Sequence, residues 1–167
     1  MSEQMQEQEQ RFTEILQRMD RVYDEYAKAK GMTYMRMAVL ETIYAHPDGC
    51  TQKQICTETH YPKQSVNLII KSFLADGHVA LREAAEDRRN KRITLTAHGR
   101  AYADETVGAL WDIDRRSAGV LSAEQRELLL QLLARYADAF ARGVRQRIGR
   151  GFARSASAAC IPFHPML

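Results

Sequence analysis

The sequence predicts a mainly α-helical fold of about six helices with one two-stranded β-hairpin. Apolar residues recur every three or four positions over most of the 167 residues, and alternation of apolar and polar residues is confined to residues 78–96. The length suits a single domain with a core of its own. Hydrophobic residues make up 45% and charged residues 27% of the chain, which is ordinary for a soluble globular protein.

The first two helices follow from two different apolar patterns. One helical face over four turns carries the apolar residues Phe12, Ile15, Leu16, Met19, Val22, Tyr23 and Tyr26. Gly31 is placed to end this helix, whereas residues 1–10 are rich in Gln and Glu and are expected to fray. Thr33 is placed to cap a second helix that is apolar on nearly every side up to Tyr44, which predicts a central, buried helix.

A helix-turn-helix follows the turn predicted at residues 46–49. Thr51 opens a short helix to about Thr59, and Pro62 takes the first position of the next helix, where its missing N–H costs nothing. This next helix has an apolar stripe that consists of Val66, Ile69, Ile70, Phe73 and Leu74, and it stops at Gly77. Two helices in this arrangement can place the second one in the DNA major groove.

The outer face of the second helix carries side chains suited to DNA, namely Lys63, Gln64, Asn67, Leu68 and Lys71. Gln and Asn can read adenine through two hydrogen bonds, Lys can read guanine or hold a phosphate, and Leu can contact a thymine methyl group. No acidic residue belongs to this set. The alternative is the ordinary solvated face of an amphipathic helix.

A cationic β-hairpin is predicted directly after this helix. Residues 78–83 and 92–96 form its strands, and its tip carries Arg88, Arg89, Lys91 and Arg92. A hairpin in this place is a wing, whose cations can meet phosphates or enter the narrow minor groove. We expect Asp87 to pair with a neighbouring arginine and to fix the shape of the tip. The alternative is a solvated charged turn.

Two further helices and a tail complete the chain. Thr96 caps a long helix to about Gly119, and Ser122 with Gln125 forms a capping box at the start of the last helix. Apolar residues line one face of the last helix, namely Leu129, Leu132, Leu133, Tyr136 and Phe140. One small winged helix cannot bury both this stripe and the stripe of the first helix. The sequence therefore predicts a two-fold dimer, with an interface that includes Phe12, Leu16, Met19, Leu132, Leu133, Tyr136 and Phe140.

The predicted organisation has four parts. Residues 1–32 form an N-terminal dimerisation helix, residues 33–99 a winged helix-turn-helix for DNA binding, and residues 100–148 the C-terminal dimerisation helices. Residues 149–167, with their Gly, Ala, Ser and Pro, form a tail of uncertain order.

The sequence resembles the MarR family of winged-helix transcriptional regulators over about residues 10–147. Asp87 and Arg89, followed by Ile93, Leu95-Thr96 and Gly99, match the family's wing signature D-x-R-x-x-x-(aliphatic)-x-L-T-x-x-G at every position. Residues 49–55 look like the family's start of the first helix of the helix-turn-helix, and residues 62–67 like a recognition-helix start seen in some members. Leu68 departs from the pattern, since many members carry a polar or basic residue there.

The resemblance implies a homodimeric repressor that binds a pseudo-palindromic double-stranded DNA operator without a cofactor. It implies that Arg89 enters the minor groove with Asp87 as its partner, and that a small aromatic or anionic effector releases the DNA. The residues expected to bind DNA are Thr51, Gln52, Lys63, Gln64, Ser65, Asn67, Leu68, Lys71, Asp87, Arg88, Arg89, Lys91 and Arg92.

Three other functions are alternatives to a DNA-binding regulator. A redox-responsive regulator is the first, but Cys50 and Cys56 fall at apolar packing positions and Cys160 lies in the tail. A winged helix that contacts other proteins is the second, against which the basic wing argues. An enzyme is the third, but the sequence shows no catalytic motif. The five histidines are scattered, which does not favour a metal site. With no apolar run long enough to span a bilayer and an acidic, polar N-terminus, we expect a cytoplasmic protein without a membrane partner.

Overall fold

The computed structural model describes residues 2–83 and 91–148. Its elements are α1 (Glu3–Ala29), α2 (Tyr34–Ala45), α3 (Gln52–Thr59), α4 (Lys63–Ala75), β1 (Val79–Glu83), β2 (Lys91–Leu95), α5 (Ala97–Ala103), a π-helical segment (Asp104–Gly108), α6 (Ala109–Ala118) and α7 (Ala123–Ile148). The predicted fold class is confirmed, because the described residues form six helices and one two-stranded hairpin. In this count α5, the π-helical segment and α6 are one helix, since they follow one another directly. The chain divides into two compact units at Gly108 and Ala109. The predicted four-part organisation stays a prediction.

The ends of α1 confirm one expectation and correct another. At the C-terminal end the amides of Gly31 and Met32 donate to the carbonyls of Lys28 and Ala27, both at 2.9 Å, which satisfies the last turn as predicted. At the N-terminal end the expected fraying is wrong, since the helix begins at Glu3 with Ser2 as its cap. Gln and Glu are good helix formers even without an apolar stripe, which explains the longer helix.

Helix α2 lies at the centre of the first unit, as its apolar composition predicts. Met37, Val39, Leu40 and Ile43 are buried, and α2 packs against α1, α3, α4, α5 and β2. The core continues into the helix-turn-helix through Ile55, Val66 and Phe73, all fully buried. Burying an aliphatic or aromatic side chain of this size contributes about 1.5–3 kcal/mol, so this core is what fixes the two helices of the motif.

The hairpin is antiparallel and carries a third short stretch of backbone. Its register runs from Val79 opposite Leu95 to Glu83 opposite Lys91. β1 begins one residue later and β2 one residue earlier than predicted. The ends of strands are assigned from backbone hydrogen bonds, which the sequence pattern does not show to the residue. Cys50 forms an isolated antiparallel bridge with Ile93 and thereby adds the segment before α3 to the edge of β2.

The start of α5 packs closely against the start of the hairpin. Thr96 caps α5 as predicted, with its hydroxyl accepting from the Gly99 amide at 2.9 Å and donating to the Gly77 carbonyl at 2.7 Å. A Cβ atom on Gly99 would lie 1.7 Å from the His78 carbonyl oxygen. Only glycine allows this approach.

The long helix after Thr96 is not the unbroken α-helix that the sequence predicts. Residues Asp104–Gly108 widen into a π-helical segment. The hydroxyl of Tyr26 donates to the Thr106 carbonyl at 2.8 Å and satisfies one carbonyl within the widened turn. This contact spans 80 residues of sequence, so no local pattern could predict it.

The second unit contains α6 and α7. The capping box predicted at the start of α7 is confirmed, because the Ser122 amide donates to Gln125 Oε1 at 2.8 Å and the Gln125 amide donates to Ser122 Oγ at 3.2 Å. Arg126 also donates to the Leu121 carbonyl at 2.5 Å. Among the described residues, no helix has both the length and the hydropathy needed to cross a membrane.

Candidate nucleic-acid interface

The helix-turn-helix is held together by polar contacts at the start of α3. The hydroxyl of Thr51 caps the helix and forms a capping box with Gln54. Gln52 Nε2 donates to the Lys63 carbonyl at 2.9 Å, which ties the first turn of α3 to the first turn of α4. Thr51 and Gln52, both expected to bind DNA, thus have partners within the protein.

Helix α4 separates an apolar face from a polar one. Val66 and Phe73 are fully buried and Ile70 nearly so. The side chains expected to read DNA lie on the other side: Lys63, Gln64, Leu68 and Lys71 are exposed, and Ser65 and Asn67 are partly exposed. Leu68 is 66% exposed, which is unusual for a large apolar side chain on an otherwise polar face.

The C-terminal end of α4 is clamped by an arginine that the sequence did not single out. Arg36, on α2, donates to Ser72 Oγ and to Asp76 Oδ2, each at 2.6 Å. Its guanidinium also lies 4.2 Å from the centre of the Phe73 ring. The arginine therefore fixes the orientation of α4 with three contacts, and no local pattern around Arg36 reveals them because its partners lie 36 to 40 residues away.

The hairpin presents cations where β1 ends and where β2 begins, on the side of the tip. Lys91 and Arg92 are exposed, and so is Arg82, which lies directly opposite Arg92 in the register. Arg82 was not among the predicted site residues, although the strand alternation places it on the same face as Arg92. Arg92 Nη1 donates to the Gly49 carbonyl at 3.0 Å and lies 3.4 Å from the Asp48 carbonyl. The predicted tip residues Asp87, Arg88 and Arg89 lie outside the described residues.

A stack of aromatic rings supports the start of the hairpin. The His78 ring lies 4.2 Å from the Tyr102 ring and 4.8 Å from the His98 ring, nearly parallel to both. The Phe73 ring meets it edge-on at 6.0 Å. Burial lowers the pKa of His78, and the positive potential of His98 lowers it further. The neutral imidazole is therefore the form that fits this stack.

Each stripe expected at the dimer interface shows apolar surface. On α1, Phe12, Leu16 and Met19 are partly exposed. On α7, Leu132, Tyr136 and Phe140 are 51%, 53% and 64% exposed, and Leu133 is partly exposed. An apolar row of this kind is typical of a surface that contacts another molecule.

The two described cysteines differ in environment. Cys50 is fully buried, and burial raises the pKa of its thiol to about 11. A thiol with such a pKa carries little thiolate near neutral pH and is a poor nucleophile. Cys56 is partly exposed. Within residues 2–83 and 91–148, no group of three His, Cys, Asp or Glu residues is arranged to hold a metal ion.

Comparison with known proteins relates the helix-turn-helix region to a family of regulators. Residues 30–90 match the model of the MarR family. A curated relative, the uncharacterized HTH-type transcriptional regulator YdgJ of Bacillus subtilis (strain 168), is 27% identical over 105 residues. The match spans 63% of this chain and 63% of the length of that relative.

Solved structures confirm the MarR-type fold. NMB1585, a MarR family regulator from Neisseria meningitidis, is 22% identical, with 84% of this chain and 98% of that chain covered and a TM-score of 0.69. MepR from S. aureus, solved as a DNA complex, is 21% identical, with 77% of this chain and 93% of that chain covered and a TM-score of 0.64.

Proposed function

We propose that the chain is a dimeric transcriptional regulator that binds double-stranded DNA through α4 and the wing. The observation that carries the proposal is the outer face of α4, where Lys63, Gln64 and Lys71 are exposed while the opposite face is buried in the core. A helix held in this way can enter the major groove with its first turns toward the base edges. The MarR-type fold and the DNA complex of the structural neighbour MepR support this assignment.

Within this function the side chains have different roles. We assign base reading to Gln64, Asn67 and Leu68, because amides can hydrogen-bond adenine and an exposed leucine can contact a thymine methyl group. Lys63 and Lys71 are assigned to phosphates, where a compact ammonium group acts as a point charge. Arg88, Arg89 and Lys91, with Asp87 as the partner of an arginine, are assigned to the wing contact with the minor groove.

The apolar stripes of α1 and α7 support a homodimer as the binding unit. A two-fold dimer places two recognition helices on successive half-sites, so we propose a pseudo-palindromic operator. Residues 1–32 and 100–148 are the proposed dimerisation segments. We further propose that the protein represses transcription and is released by a small aromatic or anionic effector; the MarR resemblance supports this part.

The salt dependence of DNA binding tests the function. Duplexes selected by the protein from a random-sequence pool are titrated by fluorescence anisotropy at several salt concentrations. We expect the logarithm of affinity to fall linearly with the logarithm of salt concentration. Arg89→Ala is expected to weaken binding to every duplex and to reduce that slope by about one unit, because one cation is lost from the DNA interface.

Two outcomes contradict the function. Failure of the protein to select any sequence means that α4 does not read bases. Selection with an unchanged affinity and slope in Arg89→Ala means that the wing, through Arg89, does not contact the DNA. Lys53→Ala serves as the matched control: Lys53 is exposed on α3 and is not among the proposed contacts, so its slope is expected to equal that of the parent.

A further inference from the structure

Arg92 differs from the other wing cations because its guanidinium is occupied within the protein. Its Nη1 atom donates to the Gly49 carbonyl at 3.0 Å and lies 3.4 Å from the Asp48 carbonyl. We call this contact, formed by Arg92 with the carbonyl oxygens of Asp48 and Gly49, the wing latch. It joins β2 to the segment directly before α3.

The segment that Arg92 contacts already lies tightly against β2. Cys50 and Ile93 exchange two backbone hydrogen bonds, with N–O distances of 3.1 and 2.8 Å. Gly49 has a φ of +84°, and a Cβ atom there would lie 2.6 Å from Thr94 Cγ2. A side chain at this position would require Thr94 or the segment that contains Gly49 to move. The wing latch thus adds to a junction where backbone geometry already demands close approach.

The guanidinium group suits this contact better than an ammonium group does. Both contacts use one guanidinium nitrogen, Nη1, whose two N–H groups are held in the plane of the guanidinium, whereas a lysine ammonium is a compact, freely rotating point charge. Arg82 lies directly opposite Arg92 in the register, so two like charges face each other across the hairpin. Like charges opposite one another weaken a hairpin, and the wing latch gives one of them oxygen partners.

We propose that Arg92 is a positioning residue that fixes the wing to the start of the helix-turn-helix and does not itself bind phosphate. Through the wing latch, the orientation of the hairpin is set by the same segment that leads into Thr51, the cap of α3. The proposal rests on the proposed DNA-binding function for its consequence, but the wing latch itself exists in the free protein. The wing latch and the proposed DNA-binding function can therefore be tested separately.

The first experiment measures backbone hydrogen exchange in the free protein by NMR. The variants are Arg92→Lys, which keeps the charge, Arg92→Gln, which removes it, and the neighbouring Lys91→Gln as matched control. In both Arg92 variants we expect the amides of Cys50 and Ile93 to exchange on the order of tenfold faster, because one hydrogen-bonded contact beside them is lost. In Lys91→Gln we expect the exchange rates of the parent.

The second experiment measures DNA binding and footprints with the parent and the two Arg92 variants. Arg92→Lys is expected to lose affinity to the same extent as Arg92→Gln, because charge alone does not restore the planar Nη1 donor that contacts the two carbonyl oxygens. In hydroxyl-radical footprints we expect protection to weaken where the wing lies, while protection beneath α4 stays as in the parent. A residue with a purely structural role would weaken both.

Three results overturn the proposal. The first is parent-like affinity in Arg92→Lys, which would make Arg92 a simple phosphate contact. The second is unchanged exchange at Cys50 and Ile93 in both Arg92 variants, which would mean that the wing latch fixes nothing. The third is faster exchange throughout the first unit, which would assign Arg92 to global stability. If the parent binds no DNA, the proposed function fails, and the exchange experiment still tests the wing latch.

Discussion

The apolar row on α7 predicts that the protein dissociates when acidic residues are introduced there. Leu132, Tyr136 and Phe140 are each more than half exposed in the single chain. Full burial of such a side chain contributes about 1.5–3 kcal/mol, so covering the exposed half gives about 1 kcal/mol each, or about 6 kcal/mol for both protomers. The variant Leu132→Asp with Tyr136→Asp removes most of this gain and buries unpaired carboxylates, which costs several kcal/mol more.

Sedimentation velocity at micromolar concentration is the measurement for this prediction. We expect the parent to sediment as a dimer and the double variant as a monomer with weakened DNA binding. The loss of affinity is expected to be far larger for a full operator than for a half-site, because only the link between subunits makes the second contact favourable. Ala134→Asp is the matched control, since Ala134 is exposed and lies about half a turn from Leu132. A parent that stays monomeric, or a double variant that stays dimeric, refutes the reasoning.

Three further predictions concern base reading, the hairpin root and pH. Gln64→Ala or Asn67→Ala is expected to relax base preference at single operator positions, at about 1–3 kcal/mol per lost bidentate contact, and identical selected sequences would contradict it. Gly99→Ala is expected to cost at least about 3 kcal/mol of unfolding free energy in urea titrations, whereas Gly143→Ala, in open helical space, is neutral or stabilising. The pKa of His78 is lowered in the folded state. The contribution of His78 to the free energy of unfolding is therefore present above the ordinary pKa of about 6.5 and is lost as the pH falls from there toward the folded-state pKa. In urea titrations at pH 7.5 and 5.5, His78→Asn should reduce this pH-dependent loss of stability.

Helix caps were predictable because their signals are local. Thr33, Thr51 and Thr96 each accept a hydrogen bond from an amide three residues ahead, and the sequence shows both partners within one turn. The apolar stripe of α4 was predictable for the same reason, since a period of 3.6 residues is visible in a short window. These local signals determine most of the fold and place the outer face of α4 correctly.

Contacts between distant segments were not predictable. A run of basic residues gives the same sequence pattern whether its members face solvent or a carbonyl group, so Arg92 could not be told apart from Lys91. The π segment is a second case, because Tyr26 reaches Thr106 from another helix. Arg36 is a third, since its partners on α4 are brought to it only by the packing of α2.

The residues before and within the first turn of α3 form a junction that constrains both elements proposed to contact DNA. Gln52 donates to the Lys63 carbonyl at the start of α4, and the carbonyls of Asp48 and Gly49 accept from Arg92 on the wing. Both contacts use polar groups within the protein, which supports a positioning role for these side chains, whereas Lys63, Gln64 and Lys71 on the outer face of α4 are exposed. A scan of substitutions should therefore separate into two classes. Changes at Gln52 or Arg92 alter the free protein as well as DNA binding, whereas changes at Gln64 alter only the complex.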